Sequence, residues 1–248
     1  MTKYAAYGTS LSVGTRQVET ATVVGTITSP GNATVIVTAT GMTGSPISTS
    51  VAVLLNDTAD MVAEKIRTAL NLVANIVAKY AVGGTGPYVT LTALTALANV
   101  ANLNISVAND TCTGLTDNTT SNDTTAGVAA ATIAQVANIG GPSLSMDTED
   151  VTTHDSPEAW EEVVATILRT GDISLDIVYD PAAATHSAAA GLIDYKENRK
   201  IGFFTLTFPN ASAWSFPAYV TGFEPSAPHD GALTASVALK ISGKPTIV

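Results

Sequence analysis

Gly140–Ser156 reads GGPSLSMDTEDVTTHDS, and Val220–Val248 reads VTGFEPSAPHDGALTASVALKISGKPTIV. The first stretch is acidic and turn-rich, and the residues after it decide the fold. Ser156 suits a helix N-cap and Pro157 suits the first helical position. Glu158, Glu161 and Glu162 place negative charge where a helix start favours it. Trp160, Val163, Val164, Ile167 and Leu168 fall on one helical face, and Gly171 comes after Arg169 as a stop. This pattern predicts a helix over residues 156–171. Asp172–Tyr179 then alternates Ile173, Leu175, Ile177 and Tyr179 with more polar residues, as a half-buried strand does. Asp180-Pro181 breaks it, and the Ala-rich run 182–199 reads as a second helix weakened at Gly191. Ile201–Phe208, Ser212–Phe223 and Leu233–Ser242 read as strands. Together they predict a β-sandwich or distorted barrel flanked by helices.

Working outward toward the N-terminus, the composition changes. Residues 17–127 are rich in Thr, Val and Ala, whereas residues 128–248 hold both Trp and all five Phe. Between them lies the polar tract Thr111–Gly127, TCTGLTDNTTSNDTTAG, whose composition predicts a loop or linker. Ala21–Thr28 and Ala33–Thr40 read as two strands joined by Ser29-Pro30-Gly31-Asn32, a hairpin spacing. Ile47–Leu55 is a third strand. Asn56-Asp57-Thr58 offers N-cap oxygens, and the apolar repeat from Met61 to Tyr80 predicts one long helix stopped by Gly83-Gly84. Tyr88–Leu94 and Leu103–Val107 complete a small α+β module with a helix over one sheet face. The strand Lys3–Val13 precedes all of this, and its pattern fits either region.

The bulk numbers narrow the function. With 248 residues the chain can bury a sizeable core in one or two domains. Hydrophobic residues make up 46% and charged residues only 13%, so the surface is sparsely charged; composition alone fits equally an assembly that covers some of it and a monomer rich in small residues. Eleven basic against 21 acidic residues give a net charge of −10, which disfavours a protein that grips nucleic acid through phosphates. One cysteine, Cys112, excludes an intramolecular disulfide. MTKYAAYGTS lacks an apolar signal-peptide core and no run reaches membrane-spanning length, so synthesis in a cytoplasm and no membrane partner are expected. The Asn-x-Thr sequons at Asn32, Asn56 and Asn118 then reflect a Thr-rich composition.

No catalytic, cofactor-binding or metal-binding residue is assigned. His154, Asp155 and Ser156 are adjacent, and a triad needs spatial geometry that neighbours cannot provide; Ser156 is read as a cap. Asp147, Glu149, Asp150, Asp155 and Glu158 offer oxygen ligands, but without calcium-loop spacing they read as a solvated acidic loop. His154, His186, His229 and Cys112 lack zinc spacing. Gly83-Gly84-Thr85-Gly86 comes after a helix and lacks the Lys-Ser/Thr of a phosphate loop.

Several elements together resemble a known family. They are Gly8-Thr9-Ser10-Leu11; Ile133-Ala134-Gln135-Val136-Ala137-Asn138-Ile139-Gly140-Gly141-Pro142; Asp150-Val151-Thr152-Thr153-His154-Asp155-Ser156; Trp160; and Gly171 through Tyr179-Asp180-Pro181. Ala218-Tyr219-Val220-Thr221-Gly222-Phe223 and Leu233 through Pro245 complete the set. In this order they resemble the major tail tube proteins of long non-contractile-tailed bacteriophages, the siphophage tail tube family. The resemblance covers roughly residues 1–16 and 128–248. It departs at residues 17–127, which stand where the family has almost no chain. It therefore implies a discontinuous tail tube domain, 1–16 with 128–248, carrying an inserted module, 17–127, in a surface loop where insertion is tolerated.

The resemblance implies a structural virion protein, not an enzyme. The expected fold is mostly β (α+β): a tail tube β-sandwich or barrel with a flanking helix, plus the small α+β insert. Such subunits form homohexameric rings that stack into a tail tube, through which double-stranded DNA passes without specific binding at genome ejection. Partners would be further copies and other tail proteins such as the tape measure and tail terminator; the location would be the virion tail, assembled in the bacterial host cytoplasm. No cofactor is implied. The alternative is a surface-binding or adhesive module, 17–127, anchored by the remainder to a virion or cell-surface assembly.

Overall fold

The structure, a computed structural model, describes residues 6–187 and 189–247. Two compact units divide the chain: residues 1–13 with 131–248, and residues 14–130. The chain runs out along β1 (Ser10–Thr15).

The unit of residues 14–130 begins with β2 (Val18–Thr22), β3 (Gly25–Ser29), β4 (Gly31–Thr38) and β5 (Ile47–Val53). Then come α1 (Ala59–Asn71), α2 (Ala74–Val77), β6 (Tyr80–Gly83), β7 (Tyr88–Ala93), β8 (Asn104–Asn109), β9 (Thr113–Leu115) and β10 (Asn122–Thr125). One sheet has the order β10-β2-β7-β6, another β5-β4-β8, and β3 pairs with β9. Helix α1 starts at Thr58, whose hydroxyl accepts the Met61 N–H. It buries Val62, Ile66 and Leu70, four residues apart and so on one face, against the sheets. At its start the carboxylate of Asp57 accepts the Leu54 N–H and pairs with Lys65.

Three expectations for this unit are corrected. The residues from 21 to 28 form two strands, β2 and β3. They make no hairpin with β4, because β3 pairs with β9 while β4 is the centre of its own sheet. The long helix is broken: α1 ends at Asn71, extended Val73 separates it from the short α2, Tyr80 opens strand β6 and Gly84 supplies the turn to β7. The polar tract is ordered and contains β9 and β10. Cys112 and Leu115 anchor it in the core, and side-chain hydrogen bonds hold the rest: Asn104 accepts the Ser121 N–H, Asn118 donates to the Thr22 carbonyl, and Asn109 donates to the Leu115 carbonyl. Ser121 also bonds the buried Glu19, whose carboxyl is pushed up by burial and, in addition, by nearby Asp123.

The chain returns along β11 (Val128–Thr132) into β12 (Val136–Gly140) and β13 (Leu144–Asp150). Then come β14 (Val163–Thr170), β15 (Asp172–Val178), α3 (Ala184–Ser187), α4 (Leu192–Glu197), β16 (Ile201–Thr207), β17 (Ala213–Ser226), β18 (Thr234–Ile241) and β19 (Thr246–Ile247). The main sheet has the order β11-β1-β16-β17-β18-β15-β12, with β19 pairing β17. Its alternation is strict: Ile173, Leu175 and Ile177 of β15 lie buried beside Leu239, Val237 and Ala235 of β18. Phe204 and Phe216 face each other across β16 and β17 with rings 6.3 Å apart and nearly parallel. Leu192 and Tyr195 of α4 close this core. The mostly-β, α+β class read from the sequence is the one found.

Two further expectations fail here. Residues 156–171 are not a helix: a single 3-10 turn at Pro157–Ala159 gives way to strand β14. Ser156 does not cap; its hydroxyl donates to Glu162 and accepts the Thr153 N–H. Glu158, Glu161 and Glu162 therefore do not serve a helix start. The β-branched residues Val163, Val164, Thr166 and Ile167 favour the extended chain once a partner strand, β13, is present. The run 182–199 is two short helices, parted at Gly191 as its composition suggests.

Candidate assembly surface

Strands β12 and β15 are antiparallel neighbours, and the chain prolongs both beyond the sheet as a second pair, β13 and β14. The joint is built from close backbone contact. Gly171 donates its N–H to the Ser143 carbonyl at 2.7 Å, and a Cβ on Gly171 would sit 2.0 Å from the Ser143 hydroxyl. Gly141 has φ +90°, and a Cβ there would meet the Asp172 carbonyl at 2.5 Å. Only glycine satisfies both positions.

The hairpin beyond this joint has no core. Leu144 pairs across with Thr170, Met146 with Leu168, Glu149 with Val164 and Asp150 with Val163. Nearly every residue of both strands is exposed. Eight of the 23 large apolar side chains exposed among the described residues lie between 144 and 170: Leu144, Met146, Val151, Trp160, Val163, Val164, Ile167 and Leu168. A two-stranded hairpin is marginal in water on its own, and large exposed apolar patches generally mark interaction sites. Its polar side is self-satisfied. Asp147 receives Arg169 at 2.6–2.7 Å, and this bond holds the Asp147 carboxyl below its ordinary value. Asp150 is held low by Thr152. At the tip, Val151 donates to the Glu162 carbonyl and Glu162 to the Thr152 hydroxyl.

The exposed face of the main sheet is a different surface. Cross-strand rows place Tyr219, Lys240 and Asp172 together, and Glu224, Ser236, Asp176 and Asn138 together. Lys240 pairs with Asp172 at 2.8 Å, and Ser236 and Asn138 both donate to Asp176. These rows hold three carboxylates and one ammonium. Sequence reasoning finds the acidic bias of residues 147–180 but not which strand faces display it.

The residues weighed for chemistry are dispersed. Ser156 is bonded to Glu162, not to His154. His186 is fully buried, its Nε2 bonded to the Ala134 carbonyl at 2.9 Å, and it anchors α3 structurally. Cys112 is buried in the other unit's core. Asp147, Glu149, Asp150, Asp155 and Glu158 do not converge: no group of three or more metal-ligating side chains exists among the described residues. Among them, no helix is long and apolar enough to cross a membrane.

Comparison with known proteins adds one decisive match. A family model described as lambda phage tail tube protein, TTP, matches residues 114–248. No curated protein matches the chain. Among solved structures, the chain is similar to one from the virion of a native gene transfer agent particle. Identity is 20% over 48% of this chain and 88% of that chain, with TM-score 0.41. A second comes from the tail of an empty gene transfer agent particle, with 20% identity, 48% and 86% coverage, and TM-score 0.41. A third comes from the baseplate of the anti-feeding prophage, with 10% identity, 48% and 83% coverage, and TM-score 0.36.

Proposed function

We infer the role of this chain from one premise: it belongs to the lambda phage tail tube protein family, whose model spans more than half of it. It is a structural subunit of a virion tail tube. From there we propose that copies join in six-membered rings, that rings stack into a hollow tube, and that the hairpin 144–170 carries contacts between copies. The observation behind this is the hairpin itself, an extended element whose apolar side chains stand exposed among the described residues. The tube meets other tail proteins, a tape measure and a terminator, at its inside and its end. No catalytic step is assigned.

The acidic sheet face lines the lumen. A duplex carries one negative charge per about 1.7 Å of axis and binds basic surfaces through counterion release. Asp172, Asp176 and Glu224, repeated around each ring, repel it and let it slide. Residues 17–127 are an inserted module that points away from the channel. Their separate apolar core supports treating them as a domain in their own right.

Mass photometry and negative-stain microscopy of the purified chain over a concentration series test this reading. Rings and tubes are expected as concentration rises. A chain that stays monomeric at every concentration and salt defeats it.

A further inference from the structure

A groove of about 890 Å³ runs beside β12, lined by Val136, Asn138 and Ile139 of that strand and, opposite, by Tyr7, Leu206 and Phe208. Among the described residues, none that lines it is acidic or basic. Strand β12 ends the main sheet, and among the described residues it pairs with β15 alone, so one side of its backbone has no strand partner there. Its sequence, VANIG, carries neither charge nor proline, the usual guards of an open edge. An unguarded edge beside an uncharged groove takes an added strand: main-chain bonds hold it, and alternate side chains fill the groove.

The occupant must be uncharged, because a carboxylate brought into this groove would lose its hydration without a cation to replace it. In this unit β13 carries Asp147, Glu149 and Asp150, whereas β14 reads VVATIL from Val163 to Leu168, apolar or neutral throughout and exposed. The same copy cannot supply it. Only Gly171 separates β14 from β15, and β15 already holds the other side of β12. To reach the free edge, β14 would have to cross β12.

We propose that β14 of a second copy adds to the free edge of β12, its apolar side chains entering the groove. This rests on the tail tube reading, since it needs copies side by side, and it names the surface that receives the hairpin.

The test uses the full chain with native, buried Cys112. Ala137→Cys is mixed in turn with Val163→Cys, Val164→Cys or Thr166→Cys, allowed to assemble, and treated with a short bis-maleimide. Mass spectrometry should find residue 137 of one copy linked to the 163–166 strand of another, in tubes and not in monomers. The second variant, Ala137→Lys, puts a charge at an exposed position of the edge. It should leave the monomer's melting temperature unchanged and raise the concentration needed for tubes at least tenfold. If tubes form but none of the three pairs links, or Ala137→Lys assembles as readily as the unmodified chain, the docking is wrong and the tail tube reading stands. If the unmodified chain never assembles, both fall.

Discussion

Replacing Ile167 and Leu168 together by serine separates the hairpin's role in assembly from any role in the monomer. Leu168 is 80% exposed and Ile167 57%. Full burial of such a side chain is worth about 1.5–3 kcal/mol. The fraction still open to water therefore leaves roughly 1.2–2.4 kcal/mol for Leu168 and roughly 0.9–1.7 kcal/mol for Ile167 to gain on contact with another copy. Their sum, about 2–4 kcal/mol, corresponds to a factor of roughly 30–1,000 in the concentration at which tubes appear. The monomer should hardly notice, since exposed positions usually shift stability by no more than about 0.5 kcal/mol. Sedimentation of assembled material against total concentration gives the first quantity, and thermal unfolding of the unassembled chain gives the second. Tubes at the unmodified concentration would remove the hairpin from the interface. A monomer destabilised by more than about 2 kcal/mol would place both side chains in the chain's own core, contrary to their exposure.

Phe216→Ala should destabilise the chain by about 3–5 kcal/mol in denaturant unfolding, because a fully buried ring stacked on Phe204 leaves a cavity. Burial alone would push the Asp57 carboxyl up, but the Leu54 N–H and Lys65 outweigh it and hold the group below its ordinary value. A depressed acid stabilises fully above its unfolded value and loses that contribution as pH falls through the folded one. Asp57→Asn should accordingly cost about 1.5–3 kcal/mol at neutral pH and progressively less below about pH 4, read by unfolding at a series of pH values. Joining residue 16 to residue 128 through a short Gly/Ser linker should preserve folding and tubes. A Cβ on Gly14 would lie only 2.6 Å from the Val128 carbonyl, so the cut ends are close. Loss of folding in that deletion, monitored by circular dichroism, would make residues 17–127 integral to the rest.

The strands that build the main sheet are legible in the sequence because one face of each is buried inside the chain. Ile173, Leu175 and Ile177, or Val237, Leu239 and Ile241, alternate with exposed neighbours, and that period is visible before any partner is known. Strand β14 is illegible for the complementary reason. Its apolar side chains are all exposed, so no alternation marks it as a strand, and Val163, Val164, Ile167 and Leu168 happen to fall at helical spacing. The signal that points the other way is β-branching at Val163, Val164, Thr166 and Ile167. The tract 111–127 reads as a linker because Asn104, Asn109 and Asn118 order it through side-chain hydrogen bonds, which composition does not weigh. The acidity of the sheet face is half legible. Ten acidic residues against Arg169 alone stand between Asp147 and Asp180. Placing Glu224 beside Ser236 and Asp176 needs strand order, which no local pattern carries.

Cryo-electron microscopy of tubes grown from the purified chain tests the central claim most directly. The account predicts a hollow tube of six-fold rings, with Asp172, Asp176 and Glu224 facing the lumen and each 144–170 hairpin buried against another copy. A tube whose lumen is lined mainly by Lys and Arg, or one in which the hairpins remain in solvent, would contradict it.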